Sequence, residues 1–192
     1  MKCNSTVDIN TFSSFNNSKP YFLDTNVLYW YTYPRFGGNL KLPRNAVPYY
    51  DFVDSLVVAG NPLYTSVYNL TELLNVIEKN EYDLYVKLHP ELPYTKKDYR
   101  RMPAERSSLK QILKTSISNV KSICEILSFN FEMNCLDSFV EELAEHRCDV
   151  FDYAILRNCI DTQKINVISD DSDFSTMEII NLHTANPTVL AK

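Results

Sequence analysis

Glycine is scarce in this chain, with 3 in 192 residues against 9 prolines, and that scarcity excludes flexible linkers and low-complexity tracts. Long apolar runs are absent too. The best, Ser55-Leu56-Val57-Val58-Ala59 and Tyr153-Ala154-Ile155-Leu156, fall far short of the roughly 18–20 residues a membrane span needs, so the chain reads as a non-membrane protein. The opening MKCNSTVDINTFSSFNNSKP carries no apolar core of the secretory kind; residues 1–20 read as a polar, flexible lead-in, and the predicted location is the cytoplasm. Positive charge is in deficit, 19 Lys and Arg against 24 Asp and Glu, for a net charge of −5. That balance excludes a uniformly basic nucleic-acid binder and leaves room for a local basic patch or a metal-bridged contact to phosphate. The 5 cysteines (Cys3, Cys124, Cys135, Cys148, Cys159) are odd in number and form no C-x-x-C pair, against both a disulfide framework and a structural zinc site. The 3 histidines (His89, His146, His183) show no zinc spacing either. What remains is a globular composition, 45% hydrophobic and 22% charged, in a chain long enough to bury one core without staples.

Strand and helix signals alternate along it. Residues 21–24 (Tyr-Phe-Leu-Asp) are a short apolar run ending on an acid, followed by Thr25 and Asn26, which suit a helix start. A helix is predicted over about 47–59, stopped by Gly60-Asn61-Pro62. Residues 63–65 read as a strand, Ser66 as an N-cap, and Leu70, Leu73, Leu74 and Ile77 as the stripe of a helix running to about Lys79. After a stretch broken by Pro90, Pro93 and Pro103, helices are predicted over about 107–127, 136–145 and 151–161, with strands at 165–168 and 179–182. The implied fold is α/β, three layers with a mostly parallel central sheet, a single domain over 21–192 with a helical, basic insertion at about 81–130.

In such a sheet, ligands bind beyond the carboxyl ends of the strands. Asp24 follows the first strand, and Ser169-Asp170-Asp171-Ser172-Asp173 follows a later one. Glu72 lies in the first turns of a helix, and Asp149 and Asp152, three apart, share a face at the start of another. Taken singly, a strand-end aspartate is a turn or cap residue, and Glu72, opposite its helix's leucine stripe, is a solvated side chain. Taken together they repel: two carboxylates at about 4 Å oppose one another by roughly 4 kcal/mol at an effective dielectric near 20, so a cleft of four calls for a divalent cation or shifted pKa values. Magnesium or manganese suits an all-oxygen donor set.

The ordered segments Phe22-Leu23-Asp24-Thr25-Asn26-Val27-Leu28, Ser66-Val67-Tyr68-Asn69-Leu70-Thr71-Glu72-Leu73-Leu74, Asp152-Tyr153-Ala154-Ile155 and Val167-Ile168-Ser169-Asp170-Asp171-Ser172-Asp173-Phe174 resemble the motifs of PIN-domain ribonucleases. The resemblance runs from about residue 21 to 187 and is thin over 80–148. It implies a PIN-like fold and a Mg²⁺- or Mn²⁺-dependent endoribonuclease with Asp24, Glu72, Asp152 and Asp171 as its acidic quartet. Asp24, Asp152 and Asp171 would bind the ion, Asp173 would be an additional acid, Asp149 would compete with Asp152, and Thr25, Asn26 and Ser169 would hold the carboxylates. It further implies the toxin of a toxin–antitoxin pair or a stand-alone relative, with an antitoxin protein and a second copy of the chain as partners. Between Glu72 and Asp152 the chain is longer than in the compact toxins of that family.

RNA would need a cationic surface, and residues 85–115 supply one: eight basic side chains against three acids give +5 there and leave −10 elsewhere. Lys96, Lys97, Arg100 and Arg101 are the expected phosphate contacts, and Tyr94 and Tyr99 the expected stacking platforms. The alternative from another functional class is a non-cleaving RNA-binding or scaffold module on the same fold. A phosphatase with Asp24 as nucleophile is disfavoured, because Asn26 stands where such enzymes carry a second aspartate.

Overall fold

Tyr21–Leu23 and Asn166–Ile168 are buried at every position, as strands covered on both faces must be. The computed structural model describes residues 3–13, 17–38, 40–91, 95–128, 136–145, 148–163 and 165–191. Among them, six strands form one sheet: β1 (Ser5–Asp8), β2 (Tyr21–Leu23), β3 (Leu63–Ser66), β4 (Cys124–Leu127), β5 (Asn166–Ile168) and β6 (Asn181–Thr184). Their order is β1-β6-β5-β2-β3-β4, and every pairing is parallel. The helices are α1 (Thr25–Thr32), α2 (Val47–Ala59), α3 (Val67–Leu88), α4 (Lys96–Arg101), α5 (Pro103–Ile123), α6 (Leu136–Glu145), α7 (Val150–Asp161) and α8 (Pro187–Leu190).

The alternation of strand side chains sorts the helices into two layers. Tyr21, Leu23, Leu63 and Ile168 point into a core shared with Val27 and Leu28 of α1, Phe52 and Leu56 of α2, Leu73 and Ile77 of α3, and Leu109 and Val120 of α5. Phe22, Val167 and Leu182 point the other way, onto Tyr153, Leu156 and Cys159 of α7, with Phe139 and Leu143 of α6 and Val189 of α8 against them. This is the expected three-layer α/β/α arrangement with a parallel sheet.

Four local expectations are corrected. The polar lead-in is part of the sheet: residues 5–8 form β1, paired with β6 at its edge, and Asn4 and Ser5 both donate to Asn181 Oδ1. An edge strand needs one covered side only, so S-T-V-D forms it with little apolar content. The helix expected to run to residue 127 stops at Ile123; Cys124 turns extended, and Cys124–Leu127 pairs along its whole length with β3. The seven- and four-residue spacings of Leu113, Val120 and Cys124 mimic a helical stripe across that break. Helix α3 continues past Lys79 to Leu88 because Tyr82 and Tyr85 pack on the core, and because Glu81, a charge in the middle of the stripe, is matched by Arg35 and Tyr33. The last strand lies two residues later than expected, at Asn181–Thr184. The insertion is thus α4 and α5 plus a strand of the central sheet.

Candidate active site at the carboxyl edge of the sheet

Because all strands run parallel, the ends of β2, β3 and β5 open on one edge, and β2 lies between the other two. Asp24 leaves β2 at the centre of that edge and caps α1. It is buried, 4% exposed, and held on all sides. Its Oδ1 accepts from the Thr25 amide at 2.7 Å and from Asn69 Nδ2 at 3.4 Å; its Oδ2 accepts from Ser169 Oγ at 2.7 Å. Ser169 is the first residue past β5, and its Oγ also accepts from the Asp171 amide at 3.0 Å. The Asp171 carboxylate in turn accepts from the Asp173 amide at 2.9 Å, which turns the chain into a 3-10 helix over Asp173–Thr176.

On the other flank, Ser66 caps α3 and donates to Asn69 Oδ1 at 2.5 Å, so the Asn69 amide nitrogen faces Asp24 and Thr25 Oγ1. Thr25 Oγ1 donates to Glu72 Oε2 at 2.6 Å, tying the α3 acid to the centre of the edge. From α7 come two acids with different duties. Asp149 is the N-cap, with Oδ1 accepting from the amides of Phe151 and Asp152, while Asp152 in the first turn is half-buried and faces the other acids.

The electrostatics show these groups to be neighbours. Burial, opposed by the bonds from Ser169 and Thr25 and aided by the charges of Glu72 and Asp171, pushes the Asp24 carboxyl up to about 7. Burial followed by the charges of Asp149, Asp24, Asp171 and Asp173 pushes Asp152 up to about 8. The same field reaches Cys148, whose thiol is driven up to about 11 by burial and by Asp152, Asp149 and Asp173. The site is therefore a cluster of surplus negative charge that favours uptake of protons or of a cation. No group of three or more His, Cys, Asp or Glu side chains among the described residues is arranged to hold a metal ion as it stands. With both Asp24 oxygens and one Glu72 oxygen engaged by hydrogen-bond donors, the acids are bonded through Thr25, Ser169 and Asn69 instead.

Of the expected supports, Thr25 and Ser169 hold carboxylates. Asn26 does not: it is exposed, and no hydrogen bond among the described residues joins it to an acid. Its place is taken by Asn69, which is fully buried and three residues before Glu72. That spacing, on the face of α3 that carries Glu72, was the signal available in the sequence.

The expected RNA contacts are mostly engaged elsewhere. Tyr99 is 2% exposed and packs edge-on against Tyr82, so its ring is closed to stacking. Lys96 and Arg100, together with Arg106, converge on Glu78 of α3 at 3.2, 2.5 and 3.1 Å. Lys97 and Arg101 are exposed, and Tyr94 lies outside the described residues. An open groove of about 730 Å³ runs between α3 and α5 over Leu74, Leu109, Leu113 and Ile117, with lysines along its rim; none of the acids lines it. The four described cysteines are free, and His183 is a neutral core side chain, driven down to about 4 by burial and stacked on Phe52.

No protein-family model and no curated protein matches the chain. Among solved structures it is similar to VapBC2 from Rickettsia felis bound to a DNA fragment from their promoter, at 17% identity and a TM-score of 0.49, over 86% of this chain and 98% of that one. It is also similar to FitAB bound to the IR36 DNA fragment, at 14% identity and a TM-score of 0.46, over 84% of this chain and 94% of that one.

Proposed function

We propose that the protein is a Mg²⁺- or Mn²⁺-dependent endoribonuclease that hydrolyses RNA phosphodiester bonds at the Asp24 edge. The observation that supports this most is the charge surplus: two carboxyls, Asp24 and Asp152, lifted to about 7 and 8 by burial and by one another's neighbours. Oxygen donors of this kind, crowded and desolvated, fit a hard divalent cation, and Asp24, Asp152 and Asp171 are the residues that would hold it, with Asp173 beside them. RNA as substrate rests on the motif resemblance, as do the two partners it implies, an antitoxin protein and a second copy of the chain.

When bound, the cation would neutralise charge on the phosphoryl group and lower the pKa of a water molecule. The chain's own residues do the rest. Ser169, the Thr25 amide and Asn69 fix the rotamer of Asp24, so the carboxylate does not have to be ordered at the moment of reaction. Glu72, exposed and held by Thr25, would orient a water and take its proton. Asp149, spent on capping α7, orients Asp152.

A cleavage assay on total RNA with Mg²⁺, Mn²⁺ or EDTA, comparing the parent with Asp24→Asn, tests the reading. Metal-dependent cutting lost in Asp24→Asn is expected; cutting that persists in EDTA would sink it. The second reading, an RNA-binding module that does not cut, is favoured by one observation, the lack of a ready-made metal cage among the described residues. It predicts retained RNA binding with no cleavage in either metal.

A further inference from the structure

A buried polar cluster beside the acids has no part in the mechanism above. Tyr49, in the first turn of α2, is fully buried, and its ring packs on Trp30 at 5.2 Å between centroids. Its hydroxyl crosses to the end of the sheet and meets four groups: Asp170 Oδ1 at 2.7 Å, Thr184 Oγ1 at 2.8 Å, the Ala185 amide at 2.9 Å and, at the longest reach, the Ser169 carbonyl at 3.5 Å. A phenol has one proton and two lone pairs. The carboxylate and the Ser169 carbonyl can only accept and the amide can only donate, so the Tyr49 proton goes to Asp170, much the nearer of the two acceptors, and Thr184 donates back. Thr184 Oγ1 in turn accepts from the Asn186 amide at 3.1 Å. The backbone of Asp170 is fixed as well, its carbonyl accepting from Asn186 Nδ2 at 2.6 Å.

Asp170 is thus gripped at the carboxylate and at the carbonyl, while its neighbours on either side are Ser169, which holds Asp24, and Asp171. Residues 169–173 carry no strand or α-helix to fix them; their hydrogen bonds do so. We propose that Tyr49 is a positioning residue for the acidic site: by anchoring Asp170 it sets the turn that aims Asp171 toward Asp24. The inference rests on the metal-site reading for its consequence, and on the hydrogen bonds alone for the turn.

Tyr49→Phe keeps the ring and its packing and deletes only the hydroxyl. Tyr33→Phe is the matched control, because it removes from another buried tyrosine a hydroxyl that donates to a carboxylate, Glu81, at 2.5 Å and away from the sheet edge. Two readouts on the full chain decide: hydrogen exchange of the 169–173 amides, and Mn²⁺ affinity by titration calorimetry. Tyr49→Phe should speed exchange across 169–173 and raise the Mn²⁺ dissociation constant about tenfold, the usual scale for a lost support of a metal ligand, while Tyr33→Phe does neither. Parental exchange and parental Mn²⁺ affinity in Tyr49→Phe would overturn the proposal, as would equal effects from Tyr33→Phe. If Tyr49→Phe does not fold, Asp170→Ala removes the same bond from the other end and is judged by the same two readouts. A parent that binds no Mn²⁺ defeats the metal reading, whereas the exchange measurement still decides what Tyr49 does to the turn.

Discussion

Asp24 has two oxygens and three donors around them, yet its carboxyl is pushed from 3.8 up to about 7, so the cost of burying it beside Glu72 and Asp171 exceeds what its hydrogen bonds return. Asp152, at about 8, is displaced in the same direction. At these two groups the folded state therefore keeps protons that the unfolded chain has released, and their contribution to stability falls as pH rises, outweighing the smaller opposite contribution of His183 below about 6.5. The full contribution is present below about 4 and is lost through the window from about 4 to about 8. Without metal, thermal melts should show a higher Tm at pH 5 than at pH 8, and Asp24→Asn should flatten that slope and stabilise the protein at pH 8 by on the order of 2 kcal/mol. Mn²⁺ added at pH 8 should raise the parent's Tm more than the variant's. An Asp24→Asn protein less stable than the parent at pH 8 would contradict the crowded-acid picture. That Asp24 and the run 169–173 share an edge was readable in the sequence because each follows an apolar run, whereas the choice of Asp171 and the supporting roles of Thr25 and Ser169 came from the motif resemblance. Asn69 was not readable, since a buried asparagine on a helix has no apolar signature; only its register with Ser66 and Glu72 betrays it.

Elements were legible where their ends are written locally. Helix α2 spans 47–59 as expected because Pro48 opens it and Gly60, at φ +74°, closes it in the left-handed conformation that suits glycine. Strands β1 and β4 were not legible, because what makes them strands is a partner 176 residues away, as between Ser5 and Asn181, or about 60 away, as between Leu63 and Cys124. The extra length of α3 belongs to the same class. Glu81, 5% exposed, accepts from Tyr33 and from Arg35 Nε at 2.6 Å, tying α3 to the 3-10 turn Pro34–Gly37 that follows α1. A charge there looks like the end of a buried stripe until its partners, more than 40 residues upstream, are known. Glu81→Ala should leave Arg35 and Tyr33 without an acceptor and cost about 2–3 kcal/mol, less than a fully buried pair because Arg35 is about a third exposed. At about 2–4 °C per kcal/mol in a chain of this size, the Tm should drop by roughly 5–10 °C, and Glu81→Gln, which keeps an acceptor for Tyr33, should lose less. Equal melting of parent and Glu81→Ala would show that α3 is held without this tie.

At the scale of the whole molecule the question is how a chain of net charge −5 could hold a polyanion. The +5 of residues 85–115 is not freely available: Glu78, on a neighbouring helix, draws in Lys96, Arg100 and Arg106 and is itself held down to about 2, by its bonds to Arg100 and Lys96 above all. The cations of this segment left on the surface are Lys87 near the end of α3, Lys97 and Arg101 on α4, and Lys110 and Lys114 along the exposed side of α5. With Tyr99 closed into the core, what the described residues of this face offer RNA is charge rather than either expected stacking ring, and binding through them should be strongly salt-dependent and indifferent to sequence. Replacing Lys97, Arg101, Lys110 and Lys114 with Ala should lower RNA affinity and flatten its dependence on salt, by up to about 3 in logarithmic slope if all four touch single-stranded backbone. Arg100→Ala should act differently, on melting temperature more than on affinity. The decisive variant is Glu78→Gln, which adds no cation but releases three. If this face carries the RNA, Glu78→Gln binds more tightly and with a steeper salt dependence than the parent while melting earlier; if affinity is unmoved, the cluster serves only to fasten α4 and α5 to α3, and the RNA path lies across another surface.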